Sequence, residues 1–274
     1  MTHTHQHHHH GQAEILDLDA EVLAEHLAAI VSWLPLTSGP RQIVDLAAGT
    51  GAGTFALLER FPEAQVTAVD ASPEHLERLR EKACARGVED QVGTVLADLD
   101  APTWPDLGTP DLVWASAAMH HMADPDRALR TVRELLADGG LFAVVELAGL
   151  PRFLPENAPA DRPGLEERAH AVADRAHAVP HRGADWGPLL STAGFTVADK
   201  LTVAIEIEAS RNEAIGHYAL NVLRRLRGAV ADGLAADDLA AFDRLLDTTG
   251  PQSLLHRADL ALRTERRVWA ARRD

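Results

Sequence analysis

Between Gln42 and Leu147 the chain passes repeatedly from a short run of apolar residues to a longer stretch whose apolar positions recur three and four apart. Short apolar runs bounded by turn residues predict buried strands, and the longer spacing predicts amphipathic helices. Strands fall at "QIVDL", "QVTAVD", "QVGTVLAD", "PDLVWAS" and "LFAVVEL". The helices between them carry their own start and stop signals. Ser72 precedes Pro73 and Gly87 closes that segment, while Asp124 precedes Pro125 and Gly139 stands as the terminator. Apolar strands alternating with amphipathic helices predict right-handed crossovers and an α/β fold, a doubly wound, mostly parallel sheet covered on both faces.

The flanks are less regular. "LDAEVLAEHLAAIVSWL" predicts one helix over 18–34 with Asp19 as its cap, broken by "PLTSGP". After Glu146 come a loop over "PRFLPENAPADRPG", a polar helix over "LEERAHAVADRAHA", and a helix in "DWGPLLSTAGF" that ends at Gly194. "TVADKLTVAIEIEA" reads as a strand, residues 211–250 as helical with breaks at Gly228, Gly233 and Gly250, and "DLALRTERRVWAARR" as a last strand. Arginine alternating with apolar positions makes that last strand an edge with a solvated face. The division expected is a disordered His-rich tail over 1–12, a helical segment over 13–40, a cofactor-binding core over 41–150, and a remainder over 151–274 whose helical cap spans about 211–256.

Length and composition narrow the function. A chain of 274 residues suffices for one large α/β domain. A net charge of −15 argues against a nucleic-acid partner, which needs a basic surface. The single cysteine, Cys84, rules out an internal disulfide and any multi-cysteine metal site. No apolar run is long enough to span a membrane and the start lacks the apolar core of a secretory signal, so a cytoplasmic address is the default. The opening "MTHTHQHHHHGQ" is either a purification tag or a native metal-binding tail, and a histidine run alone argues no metal site.

The informative stretch is "IVDLAAGTGAGTFALL". A loop from the carboxyl end of a strand into a helix lies at the crevice where open α/β sheets bind ligands, and glycine lets its backbone take positive φ. The dinucleotide fingerprint counted from Gly49 and Gly51 would need glycine at Thr54, and a P-loop would need a lysine that is absent. Asp45, Ala47, Gly49 and Gly51 instead resemble the first motif of the class I S-adenosylmethionine-dependent methyltransferases, with Ala47 where the first glycine usually stands. The resemblance implies a Rossmann-like sheet of seven strands with an antiparallel last strand, and S-adenosyl-L-methionine as cofactor, leaving S-adenosyl-L-homocysteine. It also implies that Asp70 meets the ribose hydroxyls and Asp98, with the Leu99 backbone, the adenine. Ala115 and Ser116 would border the methionine part, and Thr50 and Ala71 would complete the cofactor set.

"ASAAMHHMADPDRALR" followed by "GGLFAVVEL" is similar more narrowly to small-molecule O-methyltransferases acting on sugars and natural products. That likeness implies His120 as general base, Glu146 assisting it, and His121 as a second candidate. Histidine suits the role because its pKa lies near neutrality. The amino-methylating nucleic-acid enzymes carry a different motif after strand four, and Cys84 sits mid-helix, so a small-molecule acceptor is expected. Trp33, Trp114, Phe153, Trp186 and Tyr218 offer aromatic surface for its pocket, although buried aromatics usually serve cores. Methylation at nitrogen or carbon, an NAD(P)-dependent oxidoreductase, and a non-catalytic metal-binding protein are the alternatives.

Overall fold

The computed structural model describes residues 3–274 except 177, 178 and 180, with side chains from residue 11 onward save that of residue 176. Five strands predicted from apolar runs form where expected: β1 (Gln42–Leu46), β2 (Gln65–Asp70), β3 (Val92–Leu96), β4 (Leu112–Ser116) and β5 (Leu141–Leu147). Two more, β6 (Thr196–Glu208) and β7 (Ala261–Arg272), complete a seven-stranded sheet of order β3-β2-β1-β4-β5-β7-β6. The first five run parallel, and β7 is antiparallel to both of its neighbours. The order reverses between β1 and β4, which defines the crevice at their carboxyl ends.

Helices α1 (His3–Val22), α2 (Ala24–Trp33), α3 (Ala52–Arg60), α4 (Pro73–Arg86) and α5 (Pro125–Leu135) belong to the first half; α6 (Leu165–Ala176), α7 (Gly187–Thr192), α8 (Ala214–Ala229) and α9 (Ala236–Leu246) belong to the second. The caps of α4 hold as read: the Ser72 hydroxyl accepts from His75 N–H at 3.3 Å, and Gly87 takes φ 68°. Such a cap contributes about 1 kcal/mol. The Asp124 carboxylate likewise accepts from Arg127 N–H at 2.9 Å. Both sheet faces are covered by apolar side chains, Val113, Leu129 and Phe142 on one side and Ile43, Leu57 and Trp114 on the other. A third core, with Phe153, Tyr218 and Phe242 at its centre, lies under the cap of α6, α8 and α9.

Four expectations are corrected. The last strand is interior, between β5 and β6, and the edge is β6. Its arginines find polar partners within the fold, the buried Arg266 at Asp19 and the more exposed Arg267 at the Gly183 carbonyl. Asp19 caps nothing: it lies inside α1, where its carboxylate accepts from Tyr218 Oη at 2.5 Å and from Arg266 at 3.1 Å. The single N-terminal helix is two, broken at Leu23. Helix α5 ends at Leu135, and Gly139 serves instead the turn into β5 at φ 75°. Gly11 and Gln12 belong to α1; the histidine side chains of the tail lie outside the described residues, and with them its metal-binding reading.

Candidate active site

Register brings the key positions to one rim. Leu46 pairs with Val69 and Ala115, Asp70 with Leu96, and Ser116 with Val145, one residue before Glu146. Behind β1 the chain turns through Ala47 (φ 52°), Gly49 (φ 55°) and Gly51 (φ 95°), and Gly51 starts α3. Behind β4 it turns through Ala117 (φ 51°). Both central strands therefore end in an alanine held in the left-handed region, which costs an L-residue about 1 kcal/mol. These two alanines line a cavity of about 110 Å³ together with Asp45, Gly49 and Ser116, Leu16 of α1, Leu23 at the break and His26 of α2.

The glycines make room mainly for protein. A Cβ on Gly51 would fall 2.7 Å from Phe55 and 2.9 Å from Leu79; one on Gly49 would meet Leu16 at 3.1 Å. Helix α1 thus packs onto the glycine loop. Asp17 anchors it there by ion pairs to Arg78 at 2.6 Å and to Lys82, which also donates to the Thr50 carbonyl at 3.2 Å.

The two acids at the ends of β1 and β2 sit in opposite environments. Asp45 is buried and accepts from Thr54 Oγ1 at 2.7 Å. Burial raises its pKa to about 7; the Thr54 hydrogen bonds oppose that and the Asp70 charge adds to it. Asp70 crosses to the glycine loop, where it accepts from Gly49 N–H at 2.8 Å, from Ser72 N–H at 2.8 Å and from His75 Nδ1 at 3.2 Å. Burial would raise its pKa too, but hydrogen bonds from His75, Ser72 and Gly49 outweigh it and hold the carboxyl below its usual value. Toward β3 the rim is open: Ala71 and Asp98 are exposed, Leu96 is 59% exposed, and Leu99 is buried. Asp98 uses one oxygen on Asp100 N–H at 2.8 Å.

On the other side of Ser116, a 3-10 turn over Met119–His121 carries the histidine pair. His120 is 2% exposed and Glu146 1%. Glu146 receives the His120 Nδ1–H at 2.6 Å, the His120 backbone N–H at 3.2 Å and the Leu147 N–H at 3.2 Å. A carboxylate accepts only, so Nδ1 carries a proton, and in the neutral ring that leaves the lone pair on Nε2. Nε2 has no hydrogen-bond partner among the described residues. The His121 ring lies 4.0 Å from that of His120. Burial lowers the His121 pKa; His120, Arg182 and Arg225 add to the shift and Glu146 opposes it.

A family model for a methyltransferase domain matches residues 44–142. A trans-aconitate 2-methyltransferase of Mycolicibacterium gilvum (strain PYR-GCK) is 30% identical over 217 residues, 78% of this chain and 80% of that protein. The chain belongs to the class I S-adenosylmethionine-dependent methyltransferases. A demethylmenaquinone methyltransferase of Thermus thermophilus is 39% identical over 119 residues, 43% of this chain and 53% of that protein. The chain spans about half the length of several such curated relatives, 42% to 54%. The fold of a candidate methyltransferase from Bacillus halodurans C-125 matches with a TM-score of 0.57 at 18% identity, over 90% of this chain and 98% of that one.

The family's methyl donor is S-adenosylmethionine, and the rim offers groups that suit it. A carboxylate stands at the end of β2, and an acid lies beside an exposed leucine at the end of β3. Small residues line the cavity between the two central loops. The aromatic residues are placed differently from the pocket reading. Phe153 and Tyr218 meet edge to face at 5.2 Å in the cap core, Trp186 is buried against the α5 side, and Trp33 packs half-buried under the sheet. Of the five, Trp114 alone borders the cavity, facing Gly53, where a Cβ would sit 2.5 Å from its Nε1. His75, which meets Asp70, was missed, although it had a signal, three residues after the cap Ser72.

Proposed function

We propose that the protein methylates an oxygen of a small-molecule acceptor, with His120 as general base and Glu146 as the residue that positions it. The buried 2.6 Å contact from His120 Nδ1 to Glu146 carries this reading. It lies one loop away from the cavity at Ser116 and Ala117. Acceptors named for relatives fit a small or carrier-linked substrate: trans-aconitate, demethylmenaquinone and malonyl-acyl carrier protein.

S-adenosylmethionine supplies, when bound, a methyl carbon made electrophilic by its sulfonium. Asp70 would hold the ribose, Asp98 and the Leu99 backbone the adenine, and Ala71 would flank them. Asp45, Ala47, Gly49, Thr50 and Gly51, with Ala115 and Ser116, would shape the remainder. Asp70 accepts three protein donors, so its low pKa keeps it an acceptor for a sugar hydroxyl at neutral pH. His120 Nε2 takes the proton from the acceptor hydroxyl as the oxygen attacks, and Glu146 stabilises the imidazolium so formed. Helices α1 and α2, which line the cavity, would exclude water from the reacting atoms. His121, whose ring lies 4.0 Å from that of His120, is the lesser candidate for the base because the Glu146 carboxylate orients His120.

Two measurements test this. Equilibrium dialysis should detect S-adenosylmethionine binding, and no affinity at millimolar ligand would end the proposal. Incubation with methyl-labelled donor and a panel of small hydroxylated metabolites should label at least one of them, and His120→Ala should lose that labelling. Undiminished turnover in the variant would remove the base and leave methyl transfer standing.

A further inference from the structure

We propose that His26 and Trp114 hold the carboxylate of the donor's amino-acid end and that Asp45 holds its ammonium, so that the cavity selects a donor that carries that end. This rests on the methyl-transfer reading above.

The cavity is walled in part by residues outside the glycine motif: His26 of α2, Trp114 of β4, Val145 of β5, Ile205 of β6 and Arg266 of β7. Two of these carry a buried ring nitrogen with no hydrogen-bond partner, His26 Nδ1 and Trp114 Nε1. Trp114 is fully buried, and its ring N–H can only donate. A buried donor left unpaired is costly, and an acceptor brought by a ligand relieves that cost. The cavity's arginine is already engaged, since Arg266 donates to Asp19 at 3.1 Å and to Thr264 at 2.8 Å.

Trp114 Nε1 and Asp45 Oδ2 flank the same spot. A Cβ on Gly53 would lie 2.5 Å from the first and 3.1 Å from the second. A donor and a carboxyl group thus stand side by side, as the carboxylate and the ammonium do on one carbon of an α-amino acid. Burial raises the Asp45 pKa to about 7, and a cation beside it would favour its charged form. His26 adds a second donor to the carboxylate when Nδ1 carries its proton.

Size and position decide which part of the donor enters. A pocket for a whole drug-sized ligand holds about 300–1,000 Å³, and this cavity holds about 110 Å³. Its strand residues run from β1 through β4 and β5 to β7 and β6, away from the end of β2 and the turn after β3, where Asp70 and Asp98 stand. With the nucleoside at those acids, the amino-acid end is the part left for the cavity.

The test is calorimetric titration of the whole chain with S-adenosylhomocysteine, with methylthioadenosine, which lacks the amino-acid end, and with S-adenosylhomocysteine stripped of its carboxylate alone or of its ammonium alone. The complete ligand should bind at least about a hundredfold tighter than methylthioadenosine. His26→Leu and Trp114→Phe should each remove about tenfold of that preference and leave methylthioadenosine affinity unchanged. Both should lose discrimination against the ligand without carboxylate, and Asp45→Asn against the ligand without ammonium. His26 is half-buried, so leucine there should keep the fold; if Trp114→Phe fails to unfold cooperatively, His26→Leu alone decides. A preference that survives in the ring variants, or a variant that weakens methylthioadenosine as much as the complete ligand, would overturn the proposal. A parent protein that binds none of these ligands brings down the methyl-transfer reading and this one together; a parent that binds all of them alike brings down this one alone.

Discussion

The two sides of the crevice are built by different means. On the side proposed for the cofactor, between β1, β2 and β3, the groups come from consecutive strand–loop–helix units and much of the surface is backbone: Ala47, Gly49 and Gly51 in left-handed conformations and the N–H groups that hold Asp70. On the side proposed for the acceptor the groups are side chains from separate units: His120 after β4 and Glu146 near the end of β5. The first kind of site is local and leaves a pattern in the sequence. The second is assembled by folding, and its parts are individually ordinary.

That contrast predicts how each side breaks. The acceptor side should fail in turnover. His120→Ala should reduce turnover by about a hundredfold to ten-thousandfold with cofactor affinity unchanged; a parallel loss of cofactor binding would erase the distinction. Next in size is Asp45, whose effect is on stability. Its folded pKa of about 7 lies above the ordinary value of 3.8, so the folded state holds the proton longer than the unfolded one. Stability should be fully present below pH 3.8 and fall as pH rises toward 7, by about 4 kcal/mol in all. Asp45→Asn keeps an acceptor for Thr54 and removes the charge, so denaturant titrations at pH 4 and pH 8 should differ less for the variant, and at pH 8 it should be the more stable protein.

Asp70 should behave in the opposite sense. Its lowered pKa gives stability that is present above the ordinary carboxyl pKa and lost as pH falls through the folded value. Asp70→Asn should weaken S-adenosylmethionine binding by about tenfold to a hundredfold while sparing turnover at saturating donor; equal losses in both would mean the two sides are one unit. The smallest effect is expected at Ala47. Ala47→Gly relieves the strain at φ 52° and should raise stability by about 1 kcal/mol or less, read as a higher denaturant midpoint. A fall would show that the alanine methyl packs well enough to offset its conformation.

Much of the sheet was legible because strand and helix periods differ and the caps are local. Ser72, Gly87 and Asp124 each act within a few residues of themselves, so the reading of α4 and of the start of α5 survives contact with the structure. The last strand was misread because alternation reports only that one face is wetter. It does not say whether a neighbour pairs on each side, and here β5 and β6 both do. Asp19 was misread for a related reason: an acid before an apolar run fits a cap, but Tyr218 and Arg266 are its partners across nearly the whole chain.

By itself the sequence determined the alternating parallel core, the glycine turn and the acids at the ends of β1 and β2 and after β3, since each depends on interactions a few residues long. Only the tertiary structure decided that β7 is interior, that Leu16 and Asp17 bring α1 down onto the glycine loop, and that Glu146 meets the His120 ring. Those depend on which surfaces are buried together. Burial and charge proximity belong to the folded chain and have no local signature.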